Sequence, residues 1–161
     1  MPCFGEGEKL LVTASTHEAR GFRRTEDPTT HRVLTLRLYH KIMDHVSELS
    51  EVEEHRLDDA DAAFVAYGFT ARSALSAVEE LRRDGLKVGL LRLKTLWPFP
   101  ASDVERLGRR VRTILVPEMN LGQMVDVVTP HVRCDVVPFN QMDGTVIYPA
   151  VLVDAMRRAL A

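Results

Sequence analysis

The sequence has few of the residues from which a small self-contained site is built. Only two cysteines, Cys3 and Cys134, occur in 161 residues, and no CxxC pair is present. This argues against a disulfide framework and against a zinc or iron–sulfur site made by this chain alone. No run of about 18 apolar residues occurs, and the N-terminus has no signal-peptide pattern. The chain is therefore expected in the reducing cytoplasm, with no membrane contact.

An excess of positive charge is also lacking. The formal net charge is -2, with 21 basic and 23 acidic residues. Nucleic-acid binding draws much of its affinity from neutralising phosphates, so a nucleic-acid partner is disfavoured.

Common catalytic signatures are absent from the sequence. It has no Walker-type phosphate loop, no G-x-G-x-x-G after a strand and no G-x-S-x-G serine elbow. Most of the six histidines lie in or near a polar helix, and His40 and His45 are five residues apart, which does not give metal spacing on one helix face. Solvated surface histidines are the expectation.

From Ala62 onwards, short apolar runs alternate with segments of helical period. Such runs indicate strands that are covered on both faces. Strands are predicted within 62–67, 88–91, 113–116, 135–137 and 145–147. Thr70 and the Ser102–Glu105 pair are expected to cap helices, Gly85 to end one, and Pro149 to open the last. The alternation predicts a mostly parallel sheet in a three-layer α/β/α sandwich.

The first 61 residues read differently. A lead-in strand at Lys9–Thr13 and a polar loop precede a long helix that opens at Pro28 and carries an apolar stripe from Leu34 to Leu49. The acidic segment 51–61 reads as a solvated helix end and linker. We therefore divide the chain into residues 1–61, which pack on the same domain, and the sandwich itself, residues 62–161.

Three loops are expected at the carboxyl ends of parallel strands, where open α/β sheets gather ligands and partners. Trp97 and Phe99, stiffened by prolines, either form a protein interface or fold back on the sheet edge. Asn120 either takes part in a site or caps the next helix. The interface candidates in the second and third loops are Thr95, Trp97, Phe99, Glu118, Asn120 and Gln123.

The polar loop 13–24 supplies three further candidates, His17, Glu18 and Arg20. Its histidine, glutamate and arginines suit an anion or an acidic partner surface. An ordinary surface loop would read the same way, so both interpretations stay open here.

Taken together, three blocks resemble the alpha subunit of 2-oxoacid:ferredoxin oxidoreductases, and they cover nearly the whole chain in the expected order. The most specific block is E-x-N-x-G-Q, formed by Glu118, Asn120, Gly122 and Gln123. The blocks are residues 13–23 with 27–31 and 41–42, residues 65–68 with 85–91 and 96–100, and residues 116–124. The family usually has glycine at Ala14 and an acidic residue near Ala19, which weakens any role carried over to that loop.

The resemblance implies a transketolase C-terminal-like domain with a five-stranded mixed sheet and one antiparallel edge strand. It implies an oligomeric enzyme that decarboxylates a 2-oxoacid with thiamine diphosphate and magnesium, iron–sulfur clusters, ferredoxin and coenzyme A. Those cofactors would lie on the remaining alpha-chain domains and the beta subunit, leaving this domain a non-catalytic assembly role. The alternatives are the equivalent domain of a transketolase or 2-oxoacid dehydrogenase beta subunit, or a free-standing binding module.

Overall fold

The computed structural model describes Cys3, residues 5–7 and residues 15–161. The predicted strand at Lys9–Thr13 lies outside the described residues. The chain groups into two units, Met1–His45 and Val46–Ala161, which we describe separately. The predicted packing of the first 61 residues on the sandwich stays a prediction. No helix in the described part is long and apolar enough to span a membrane.

In the first unit, helix α1 (Pro28–Met43) begins where the sequence predicts. The Asp27 carboxylate caps it by accepting from the amides of Thr29 and Thr30, at 3.1 and 3.3 Å. The prediction of one helix continuing to Leu49 is wrong. The amide of His45 donates to the Ile42 carbonyl at 3.0 Å, a tighter turn that ends the helix. A short helix, α2 (Val46–Leu49), then opens the second unit.

The second unit contains a five-stranded sheet. Its strands are β1 (Val52–His55), β2 (Ala62–Tyr67), β3 (Val88–Leu93), β4 (Thr113–Glu118) and β5 (Asp135–Asn140). Their order is β1-β3-β2-β4-β5, with β1 antiparallel to β3 and all other pairs parallel. The mixed sheet with one antiparallel edge strand is confirmed.

Helices cover both faces of this sheet. They are α3 (Thr70–Arg83), α4 (Ala101–Gly108), α5 (Gln123–Val128) and α6 (Pro149–Leu160), with a 3₁₀ turn at Thr129–His131. Alternate residues of β2 face opposite cores, because strand side chains alternate. Phe64 packs with α3 and α6, whereas Val65 packs with α4 and α5. The three-layer α/β/α sandwich is confirmed.

The fifth strand is not the segment that the sequence suggested. Residues 145–147 form no strand, because Thr145 is held in a turn by Asp143, whose carboxylate accepts from the Thr145 amide at 2.9 Å. The fifth strand is β1, inside the acidic segment read as a helix end and linker, and that reading is wrong. Glu53 pairs with Arg92 at 3.1 Å and Glu54 with Arg106 at 3.3 Å. Charged side chains are typical of edge strands.

Some of the predicted helix starts and ends are found in the structure, and others are wrong. Gly85 adopts φ +83° just after α3, and its neighbour Leu86 donates back to the Leu81 carbonyl at 3.0 Å. Pro149 occupies the first turn of α6 as predicted. The cap at Thr70 is wrong, since this residue lies within α3, and neither α3 nor α4 has a side-chain cap. The Ser102–Glu105 capping box is therefore also wrong.

Candidate functional site

The candidate loops of the sandwich follow β2, β3 and β4, and so lie at the carboxyl edge of the parallel strands. The centre of this edge is Glu118, the last residue of β4. Its side chain is only 1% exposed, although it is a carboxylate. Burial of such a group is tolerated only where donors satisfy its oxygens.

Four donors surround the Glu118 carboxylate. Its Oε1 accepts from the Met124 amide at 2.8 Å, from Asn120 Nδ2 at 3.2 Å and from the Tyr67 hydroxyl at 3.3 Å. Its Oε2 accepts from the Val125 amide at 3.0 Å. Glu118 thereby fastens the first turn of α5 and the loop before it to the end of the sheet.

Both the oxygen and the nitrogen of the Asn120 side-chain amide form hydrogen bonds. Its Oδ1 accepts from the amides of Gly122 at 2.8 Å and Gln123 at 3.0 Å, while its Nδ2 also donates to the Tyr67 hydroxyl at 3.0 Å. The interpretation of Asn120 as a cap for the next helix is therefore the one that the geometry supports. The Gln123 side chain is exposed, with only its backbone amide engaged among the described contacts.

Gly122 is needed for this turn on two grounds. It adopts φ +101°, which side chains rarely allow. A Cβ there would also lie 3.1 Å from Asn140 Nδ2 and 3.1 Å from Val125 Cγ1. The E-x-N-x-G-Q spacing thus describes one local structure: a buried acceptor, an amide cap, a left-handed glycine and the first helical residue.

Tyr67 is the member of this network that sequence reasoning missed. It ends β2 and lies 51 residues from Glu118 along the chain. The signal in the sequence that could have identified Tyr67 is its polar hydroxyl at the end of an otherwise apolar strand. Burial raises the pKa of the Tyr67 phenol, and the neighbouring Glu118 carboxylate raises it further.

The Tyr67 phenol is expected to ionise above its ordinary value of 10.0. Because the folded state holds this proton more tightly, the resulting stability is complete below the ordinary pKa and is lost as pH rises through the raised one. Absorbance titration at 295 nm of the chain and of Tyr67→Phe gives the Tyr67 curve by difference. A difference midpoint at or below the ordinary value would contradict this environment.

The loop after β3 combines anchored and exposed residues. Thr95 Oγ1 donates to the Leu49 carbonyl and accepts from the Glu51 amide, both at 3.1 Å. Phe99 is half-buried against the core and stacks near His131, with ring centroids 5.2 Å apart. Trp97 is 63% exposed. Each of the two interpretations of this loop therefore applies to one aromatic residue: Phe99 folds back on its own domain, whereas Trp97 projects outwards.

Other apolar side chains accompany Trp97 at this edge. Each follows the carboxyl end of a parallel strand, and we call the set the strand-end surface: Trp97, Phe69, Leu121 and Met142. Leu121 is 80% exposed, and the other two are more than half exposed. In the sheet order β3-β2-β4-β5, these residues come from four adjacent strands.

In the first unit, the candidate residues lie in a small hairpin. His17 bridges to Arg23, and Gly21 turns the chain at φ +87°. Glu18 pairs with Arg24 at 3.6 Å rather than with Arg20, which stays exposed. A cavity of about 200 Å³ lies beside the hairpin, lined by His17, Glu18, Ala19, Thr29, Thr30, Val33, Leu34 and Arg37. Among the described residues, no group of three His, Cys, Asp or Glu side chains is placed to hold a metal ion.

Comparison with known proteins shows which family the chain resembles. A family model described as pyruvate:ferredoxin oxidoreductase core domain II matches residues 60–152. The chain belongs to this family. The match covers all four parallel strands of the sheet and the whole E-x-N-x-G-Q turn, but not β1 or the end of α6.

Relatives extend the similarity beyond core domain II. The 2-oxoglutarate synthase subunit KorA of Methanothermobacter marburgensis is 39% identical over 124 residues, which are 77% of this chain and 33% of the relative. The chain therefore spans about a third of the length of such relatives.

Solved structures agree on the fold. The 2-oxoglutarate:ferredoxin oxidoreductase from Magnetococcus marinus, with 2-oxoglutarate, coenzyme A and succinyl-CoA bound, superposes with a TM-score of 0.80 at 23% identity, covering 100% of this chain and 28% of that one. A transketolase mutant from Pichia stipitis superposes with a TM-score of 0.52 at 16% identity, covering 73% and 18%. The fold is transketolase C-terminal-like, as the resemblance implied.

Proposed function

We propose that this chain is the assembly domain of a 2-oxoacid:ferredoxin oxidoreductase alpha subunit and supplies no catalytic group. The complete enzyme would convert a 2-oxoacid to an acyl-CoA and reduce ferredoxin. Thiamine diphosphate with magnesium, the iron–sulfur clusters and the coenzyme A site would belong to other domains and subunits. Membership of the core domain II family and the similarity to KorA support this assignment.

The observation that carries the proposal is the saturated Glu118 carboxylate. A general acid or base must exchange a proton with substrate, directly or through one water. Glu118 is buried, and its oxygens already accept from two backbone amides, an amide side chain and a phenol of its own chain. Its role is to hold the loop Met119–Leu121 and the start of α5 in place.

What that loop presents is apolar. Leu121 projects from it beside the rest of the strand-end surface. Large exposed apolar groups held on a rigid frame are typical of protein interfaces, because little conformational entropy is lost on docking. We assign this surface to the thiamine-binding domains of the same enzyme. Their docking onto a sheet edge would align them without any chemistry from this chain.

Reconstitution tests the assignment. The chain alone is expected to show no 2-oxoacid-dependent viologen reduction with coenzyme A. Mixed with the thiamine-binding and cluster-bearing polypeptides from the same genome, it is expected to form a complex that has this activity. Activity of the chain alone would refute the non-catalytic role. Failure to associate with any of those polypeptides would favour a free-standing binding module instead.

A further inference from the structure

Six of the twelve arginines of the unit Val46–Ala161 face a carboxylate. The paired ones are Arg56, Arg82, Arg92, Arg106, Arg110 and Arg157. Three of the remaining six, Arg109, Arg112 and Arg133, are exposed, and their side chains have no ion pair or hydrogen bond within the described part of the chain. They lie at the end of α4 and just before β4 and β5. This is the edge of the sheet opposite the strand-end surface.

Close packing brings these three arginines together. A Cβ on Gly108 would lie 2.5 Å from Val132 Cγ1, so the end of α4 rests directly on the segment before β5. Two cavities flank this contact, a partly enclosed one of about 420 Å³ and a shallow, open one of about 400 Å³. Arg109 and Arg133 line the first, and Arg112 and Arg133 line the second. We call the pair of cavities the basic groove.

The charges in the basic groove do not cancel. Two carboxylates also line it, Glu105 in the first cavity and Asp135 in the second. Glu105 lies 3.6 Å from His131 Nδ1, and both residues line the first cavity. Three guanidinium groups against two carboxylates leave an excess of positive charge even with His131 neutral. In a chain whose net charge is -2, this local excess is not a property of the whole molecule.

We infer that the basic groove binds a ligand that carries phosphate groups, with Arg133 as the contact shared by both cavities. Guanidinium groups match phosphate oxygens with paired hydrogen bonds. The first cavity is the more enclosed of the two, and its volume lies in the range of about 300–1,000 Å³ that is typical of small-molecule sites. This favours a small ligand over a protein surface. The inference is independent of the proposed function, because the groove lies away from the strand-end surface.

The test uses inorganic pyrophosphate as the probe in low salt. Amide shifts followed by ¹H–¹⁵N NMR on the full 161-residue chain are expected to move around Gly108, Val132 and Cys134. Arg112→Gln/Arg133→Gln is expected to weaken binding about tenfold, as two charge-assisted contacts at an exposed site would. The matched control is Arg83→Gln/Arg158→Gln, which removes the same charge from two exposed arginines elsewhere and leaves the affinity unchanged.

Each other outcome overturns the inference. Equal weakening in both double variants would mean that pyrophosphate senses only net charge. Shifts of the unaltered chain that fall outside the groove would do the same, and this measurement needs no variant to fold. Binding of a poly-glutamate peptide without binding of pyrophosphate would assign the groove to an acidic protein partner.

Discussion

Glu118→Ala is expected to lower the free energy of unfolding of the sandwich by about 3 kcal/mol, since it leaves several buried donors without an acceptor. The amides of Met124 and Val125 lose their partners inside the protein, where the replaced side chain is only 1% exposed. Urea unfolding followed by circular dichroism measures the loss. Amide hydrogen exchange at Met124 and Val125 is expected to accelerate, which localises the effect.

Two variants serve as controls for that result. Glu118→Gln keeps one acceptor oxygen but turns an amide donor towards existing donors, so an intermediate loss of about 1–2 kcal/mol is expected. Asp126→Ala removes an exposed carboxylate from α5, and its free energy of unfolding should stay within about 0.5 kcal/mol of that of the unaltered chain. Equal stability of Glu118→Ala and Asp126→Ala would show that the buried network does not hold this edge together.

The parallel part of the sheet could be predicted from the sequence, and its antiparallel edge could not be placed. Strands β2 to β4 are buried on both faces, so their side chains are apolar and each strand appears in the sequence as an apolar run. Strand β1 is stabilised differently. Its glutamates pair with Arg92 and Arg106, which lie 39 and 52 residues further along the chain. A strand that pairs with β3 and carries charged side chains has no local apolar pattern, and its acidic residues read as a linker.

The candidate site shows the same division. The turn chemistry of Asn120 and Gly122 is local, so its spacing is visible in the sequence. The burial of Glu118 is not local, because β2 has to bring Tyr67 within 3.3 Å of the carboxylate. Phe99 and Trp97 are two residues apart and equally aromatic. Only the position of the core and of His131 decides that one folds back and the other projects.

Trp97→Asp/Leu121→Asp is expected to weaken assembly with the thiamine-binding domains about 100-fold or more, as loss of two central aromatic and aliphatic anchors does at protein interfaces. Both side chains are mostly exposed in this chain, at 63% and 80%, so the unfolding free energy should change by less than about 0.5 kcal/mol. Titration calorimetry or surface plasmon resonance against the partner polypeptide measures the affinity.

The matched control places the same two charges elsewhere on the sandwich. Leu75→Asp/Leu160→Asp alters exposed leucines on α3 and α6, away from the strand ends. Its affinity for the partner is expected to equal that of the unaltered chain. Because the saturated Glu118 network holds Leu121 outward, Glu118→Ala should also weaken assembly, but only together with a loss of stability. Trp97→Asp/Leu121→Asp separates the two effects, and full affinity in this variant would place the docking surface elsewhere.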